Sequence, residues 1–204
     1  MRRPIVLAAL TLLTWGLLVE QASAHQPFFE ERDWRLNAPY QVADPSVSTA
    51  LYGSLTRSGD VDWIEFPGKP GQELLLSLVI PQIAGQEEFA PTIALVGPGL
   101  PQNRLPGWVR RPEGGGALVF EPTPGAAPTF YEPHGDRSYW RRQEARVPLP
   151  AGGTYLVAVY HPKGQTGRYT LVVGEREVRG GDPEYRRKTE RWWTPVPRGG
   201  FKEG

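Results

Sequence analysis

Three histidines, two aspartates one residue apart and one dense polar-aromatic stretch hold most of the chemistry this sequence offers. The histidines are His25, His134 and His161. At the first position of a processed chain, His25 would offer its α-amine and Nδ1 as a bidentate chelate. A second imidazole, His134 or His161, completes a planar three-nitrogen set of the kind that suits Cu(II). Both also read as ordinary loop histidines beside proline or glycine. Asp60 and Asp62 follow Gly59 at a turn, where alternating carboxylates supply hard oxygens to calcium. The structural alternative is that one caps backbone N–H groups while the other meets a lysine or arginine. Tyr131, Glu132, Asp136, Arg137, Tyr139 and Trp140, with Trp108 from an earlier loop, combine aromatic faces with directed polar groups. Sugar or peptide binding uses that mixture, and so does the pinning of loops onto a sandwich.

Hydrolytic chemistry is poorly provided. Ser138 lies near His134 and Asp136, but triads are assembled across a fold, and no Gly-x-Ser-x-Gly elbow surrounds any serine. Glu87-Glu88 suits glycoside hydrolysis no better than it suits any acidic loop. A non-enzyme is the expectation.

The elements that position these groups begin after an export signal. Met1-Arg2-Arg3, an apolar run from Ile5 to Val19 and the small-residue site Ala22-Ser23-Ala24 read as a signal peptide over residues 1–24. Cleavage there makes His25 the amino terminus. It also removes two arginines and one glutamate from a net charge of +1, leaving a neutral chain. Neutrality argues against nucleic acid as a partner. Absence of cysteine excludes disulfides, thiolate zinc sites and thiol nucleophiles. No later stretch is apolar for the ~18 residues of a membrane span. The expected location is secreted or periplasmic.

With 24 glycines and 22 prolines in 204 residues, a helical bundle is disfavoured, while 7 Trp, 8 Tyr and 7 Phe are ample for a core. Strands are predicted over 47–55, 61–66, 73–80, 92–96, 117–120, 128–131, 146–149, 154–160 and 168–173, the last two as a hairpin. Residues 73–80 are almost continuously apolar and suit a central strand. The result is an all-β, antiparallel, jelly-roll-like sandwich of about eight or nine strands over residues 46–174. An irregular arm (25–45) precedes it, and a basic-aromatic extension (175–204) follows. Trp192-Trp193 implies that this extension docks onto the sandwich or a partner. Loops 81–91 and 98–116 are candidate binding surfaces.

Two blocks carry a family resemblance. Gly59-Asp60-Val61-Asp62-Trp63-Ile64-Glu65-Phe66 with Pro70-Gly71-Gln72, and Gly152-Gly153-Thr154-Tyr155-Leu156-Val157 with Gly167-Arg168-Tyr169-Thr170-Leu171, resemble the bacterial pre-peptidase C-terminal domain. The resemblance covers roughly residues 45–174. It implies a jelly-roll-like sandwich appended to exoenzymes, non-catalytic itself, with some relatives binding calcium or extracellular polymers. The histidine start, one residue wide, is similar to those of lytic polysaccharide monooxygenases and periplasmic copper carriers. The expected function is a secreted binding or accessory module contacting an envelope protein or glycan. The alternative is a copper protein using His25, as carrier or oxidative enzyme. Copper and calcium are the only cofactors either reading admits.

Overall fold

The computed structural model describes residues 25–112, 114–122, 127–133 and 135–196. The proposed signal peptide lies outside them. Eleven strands form two sheets, and none of the described helices is long and apolar enough to cross a membrane. The six-stranded sheet runs in the order β1 (Gln26–Phe29), β3 (Thr49–Leu55), β11 (Gly167–Val173), β5 (Glu73–Pro81), β9 (Arg137–Pro148), β8 (Thr129–Glu132). The five-stranded sheet runs β2 (Tyr40–Gln41), β4 (Val61–Gly68), β10 (Gly153–Tyr160), β6 (Thr92–Gly97), β7 (Gly116–Phe120). One helix, α1 (Tyr185–Trp192), follows.

Alternation along the strands builds the core. Ile64 and Phe66 of β4 point inward to meet Leu74, Leu76, Leu78, Leu95, Val157, Tyr169 and Leu171 between the sheets. Trp63 on the opposite face of β4 joins Ala94, Val96, Val109, Ala117, Leu156, Ala158 and Tyr160 in a second cluster. That outer cluster is roofed by part of the 98–115 loop, through Leu105 and Val109.

Three features depart from expectation. The arm is not irregular throughout: β1 and β2 add to the sheets in parallel with β3 and β4, so the sandwich is mixed at those edges. The segments 154–160 and 168–173 are not a hairpin. β10 pairs with β4 and β6, while β11 pairs with β3 and β5 in the other sheet, so residues 161–166 cross between layers. Both strands are apolar enough to be central, and local pattern does not reveal which neighbour each takes. Finally, β9 begins at Arg137 rather than 146, and β8–β9 absorb the polar-aromatic stretch as a paired ribbon. Its arginines and glutamate conceal the strand pattern because they face outward or pin neighbouring segments.

The 81–91 loop is a structural plug rather than an open binding surface. Gln86 is fully buried, its Nε2 donating to Arg168 O at 3.0 Å, and Phe89 enters the core. Arg142 of β9, also buried, donates from Nε to Phe89 O at 3.0 Å and from its Nη2 to Glu87 O. Gln143 Nε2 donates to Pro91 O at 2.8 Å. Arg142→Leu would strand two carbonyls beneath the loop and is expected to cost about 2–4 kcal/mol. Urea unfolding measures this, and an unchanged midpoint would show that the loop holds without the guanidinium.

Candidate metal centre

The Gly59 turn divides the work of its two aspartates. Asp60 serves the turn: its Oδ2 accepts Thr56 N–H at 2.7 Å and the Thr56 hydroxyl at 3.0 Å, and its Oδ1 lies 3.0 Å from Arg57 Nη2 as an ion pair. Asp62, on β4, is wholly buried. Its Oδ2 accepts the Tyr169 hydroxyl at 2.6 Å, and its Oδ1 has no hydrogen-bond partner among the described residues.

Two further carboxylates reach Asp62 from the arm. Glu30 follows β1, and its Oε2 accepts Ser54 N–H at 2.8 Å. Asp33 sits at the bend beyond, with Oδ2 accepting Arg35 Nε–H at 2.9 Å and Arg57 Nη2–H at 3.1 Å. Its Oδ1 is buried without a partner. The bend is fixed because Trp34 is buried and its carbonyl accepts Trp63 N–H at 2.6 Å. One carboxylate oxygen each from Glu30, Asp33 and Asp62 lies within 4.8 Å of the other two.

Like charges so placed repel. Unit charges 4 Å apart at an effective dielectric near 20 repel by about 4 kcal/mol. Burial, with the charges of Asp33 and Asp60 added, pushes the Glu30 carboxyl up to about 8. Burial and then the Glu30 charge hold Asp62 well above the usual carboxylate range, although the Tyr169 hydroxyl works the other way. A divalent cation removes the conflict. Calcium takes oxygen ligands at about 2.3–2.6 Å, so oxygens sharing it are separated by at most roughly 5 Å, and the three carboxylates meet that limit. The unpartnered Asp62 Oδ1 is what such an ion would satisfy. Magnesium, smaller and reluctant to lose water, fits an enclosed carboxylate site less well. Asp62 was legible from its motif; Glu30 and Asp33 were not, since nothing in an arm called irregular marks where it docks.

The two described histidines, His25 and His161, do not come together. His25 precedes β1, with Nδ1 hydrogen-bonded to Ser48 Oγ and 3.6 Å from Glu177 Oε1. His161 follows β10 at the other end of the sandwich. It is buried, its ring stacks on Phe89 at 5.7 Å, and its Nδ1 accepts the N–H groups of Lys163 and Gln165, each at 3.2 Å. The span of β3 from Thr49 to Leu55 separates these ends by roughly 20 Å at ~3.4 Å per residue. A His25–His161 chelate is therefore not formed, and His134 lies outside the described residues.

The polar-aromatic stretch is largely spent on structure. Tyr139 is buried beneath the C-terminal extension, its ring edge-on to Trp193 at 5.0 Å, and so is closed to a ligand. Trp140 packs against the main core. Glu132 Oε2 accepts Gly135 N–H at 2.6 Å, and Arg137 lies over the Trp193 ring. Tyr131 is exposed and donates to Asp136 Oδ1 at 3.0 Å, with Asp136 in the left-handed region at φ 50°. Asp136 and Arg137 line a cleft of about 260 Å³ against Tyr185 and Arg186 of α1. Trp192 meets Tyr52 edge-on at 5.0 Å, so the extension docks on the sandwich. Trp108 stands exposed, edge-on to Tyr160 at 5.4 Å.

No protein-family model matches the chain, and no curated protein does. Several solved structures are similar in fold, two of them as follows. One is PliG of Aeromonas hydrophila, a periplasmic lysozyme inhibitor of g-type lysozyme, at 19% identity and a TM-score of 0.37 over 74% of this chain and 98% of that one. The other is the pre-peptidase C-terminal domain of collagenase from Bacillus anthracis, at 13% identity and a TM-score of 0.33 over 65% of this chain and 91% of that domain. Both likenesses are of fold alone.

Proposed function

We propose that the protein is a non-catalytic β-sandwich accessory module of the cell envelope or exterior. In it, a calcium ion held by Glu30, Asp33 and Asp62 clamps the N-terminal arm to the sandwich, and surface loops contact a protein or glycan partner. The observation that carries the cation is the wholly buried Asp62, with an oxygen that has no hydrogen-bond partner among the described residues, beside two more carboxylates. The ion's work is structural: it neutralises a cluster joining residues 30–33 to β4 and β11. Affinity in the range of extracellular modules, ~0.1–1 mM or tighter, would suffice outside the cytoplasm.

Titration calorimetry of chelator-stripped protein with calcium chloride tests this reading. One ion per chain is expected, with magnesium a weak competitor. Absence of saturable calcium binding would remove the clamp.

A further inference from the structure

The five-stranded sheet is unfinished at β7, and what surrounds that edge is basic. Ala117 N–H donates outward to Pro101 O at 2.6 Å, in a single parallel bridge between Gln102 and Ala117. In an antiparallel ladder the outward residues alternate, so Val119, two residues on, also directs its N–H and C=O away from β6. Neither group has a hydrogen-bond partner among the described residues. The chain's own segment starts a sixth strand at Gln102 and then peels away. It leaves a groove of about 480 Å³ lined by Asn103, Arg104, Leu105 and Pro106 on one side and Val119 and Tyr160 on the other. Two of the other three edges are differently managed, since β1 accepts Asp182 N–H at Pro27 O and β2 is only two residues long, while the third, β8, is a four-residue strand with no basic loop beside it.

Charge selects the occupant. The loop from 98 to 115 contains Arg104, Arg110 and Arg111 against one acidic residue, Glu113. All three arginines are exposed, and none makes an ion pair among the described residues. Arg104 lines the groove, and Arg111 Nη1 donates to Asn103 O at 3.3 Å beside it. The one carboxylate in the groove, Glu121, accepts the Thr92 hydroxyl at 2.9 Å. Apolar purchase comes from the half-buried Val119 and Leu105 and from the exposed Trp108, which stands against the buried Tyr160.

We infer that β7 is a docking edge for an extended acidic peptide segment of a partner protein. The segment adds as a sixth strand through Val119, and its carboxylates meet Arg104 and Arg111. This deepens the accessory-module reading by naming the partner's chemistry, and it makes no use of the cation site. Main-chain pairing supplies affinity, and the guanidiniums supply sign and register.

The test uses an end-capped nonapeptide alternating glutamate with valine and threonine, its lysine-for-glutamate counterpart, and the acidic peptide N-methylated at alternate backbone nitrogens. Amide hydrogen exchange and chemical shifts of the full chain are the readout. The acidic peptide is expected to bind and slow exchange at Val119 by about tenfold or more. The Arg104→Gln/Arg111→Gln variant should lose about tenfold in affinity, and the lysine and N-methylated peptides should not bind. Binding that leaves Val119 unprotected, equal binding of the lysine peptide, or no binding at all overturns the inference. So does sedimentation showing that the chain dimerises through this edge, with Val119 protected before any peptide is added. Calcium binding without peptide binding would sink this inference alone, leaving the clamp intact.

Discussion

Calcium at about a hundred times its dissociation constant is expected to stabilise the protein by about 2.7 kcal/mol. For a chain of this size that raises the melting temperature by roughly 5–10 °C. Asp62→Asn should abolish the shift. The same substitution should leave the chelator-treated protein at least as stable as the wild type, because it keeps an acceptor for the Tyr169 hydroxyl while removing one of the crowded charges. That opposition, a neutral or favourable effect without calcium and a lost gain with it, distinguishes a cation site from a structural carboxylate. A merely structural Asp62 would lose stability in both conditions, and a site elsewhere would keep the calcium shift. Differential scanning calorimetry of the two proteins, each with chelator and with calcium, separates the cases.

Tyr155→Ala should be the most damaging core substitution near the 153–160 motif. Tyr155 has no exposed surface, stacks on Phe66 at 6.1 Å, and donates its hydroxyl toward Pro98 O or Ala151 O, each at 2.9 Å. Its ring fills the space over Gly68 and Gly97, where any Cβ would overlap it. Truncation opens a cavity that two glycines cannot close and releases the 98–99 and 150–152 turns together. A loss of about 3–5 kcal/mol is expected, against about 1–2 kcal/mol for Tyr155→Phe, which keeps the ring. Chemical denaturation of both variants measures the difference. Near-equal losses would place the contribution in the hydroxyl rather than in the ring.

Much of the sandwich was legible because its central strands obey period two over continuous apolar runs. Residues 73–80 were recognisable as central from their almost continuous apolar run, and β5 does lie between β11 and β9. Pairing was less visible than existence. β10 and β11 are adjacent in sequence and both buried, yet they belong to different sheets, because partner choice depends on residues roughly a hundred positions or more away. The acidic cluster was half legible for a similar reason. Asp62 sits in a recognisable turn and strand, whereas Glu30 and Asp33 become ligand-like only when β1 adds to β3 and Trp34, buried in the main core, bonds Trp63 N–H through its carbonyl. The His25–His161 pairing failed on the same kind of fact: β3 lies between the two, while His134 lies outside the described residues.

Terbium luminescence tests the clamp most directly, because the site lies beside a buried indole. Trp34 follows Asp33 in the chain and Trp63 follows Asp62, so both indoles belong to residues next to the ligands and lie within sensitising range of an ion bound there. Excitation of tryptophan should give terbium emission that saturates at one ion per chain and is displaced by calcium. The emission should weaken in Trp34→Phe and vanish in Asp62→Asn. Emission that persists in Asp62→Asn, or that never rises above that of terbium in buffer, would contradict a cation at this centre.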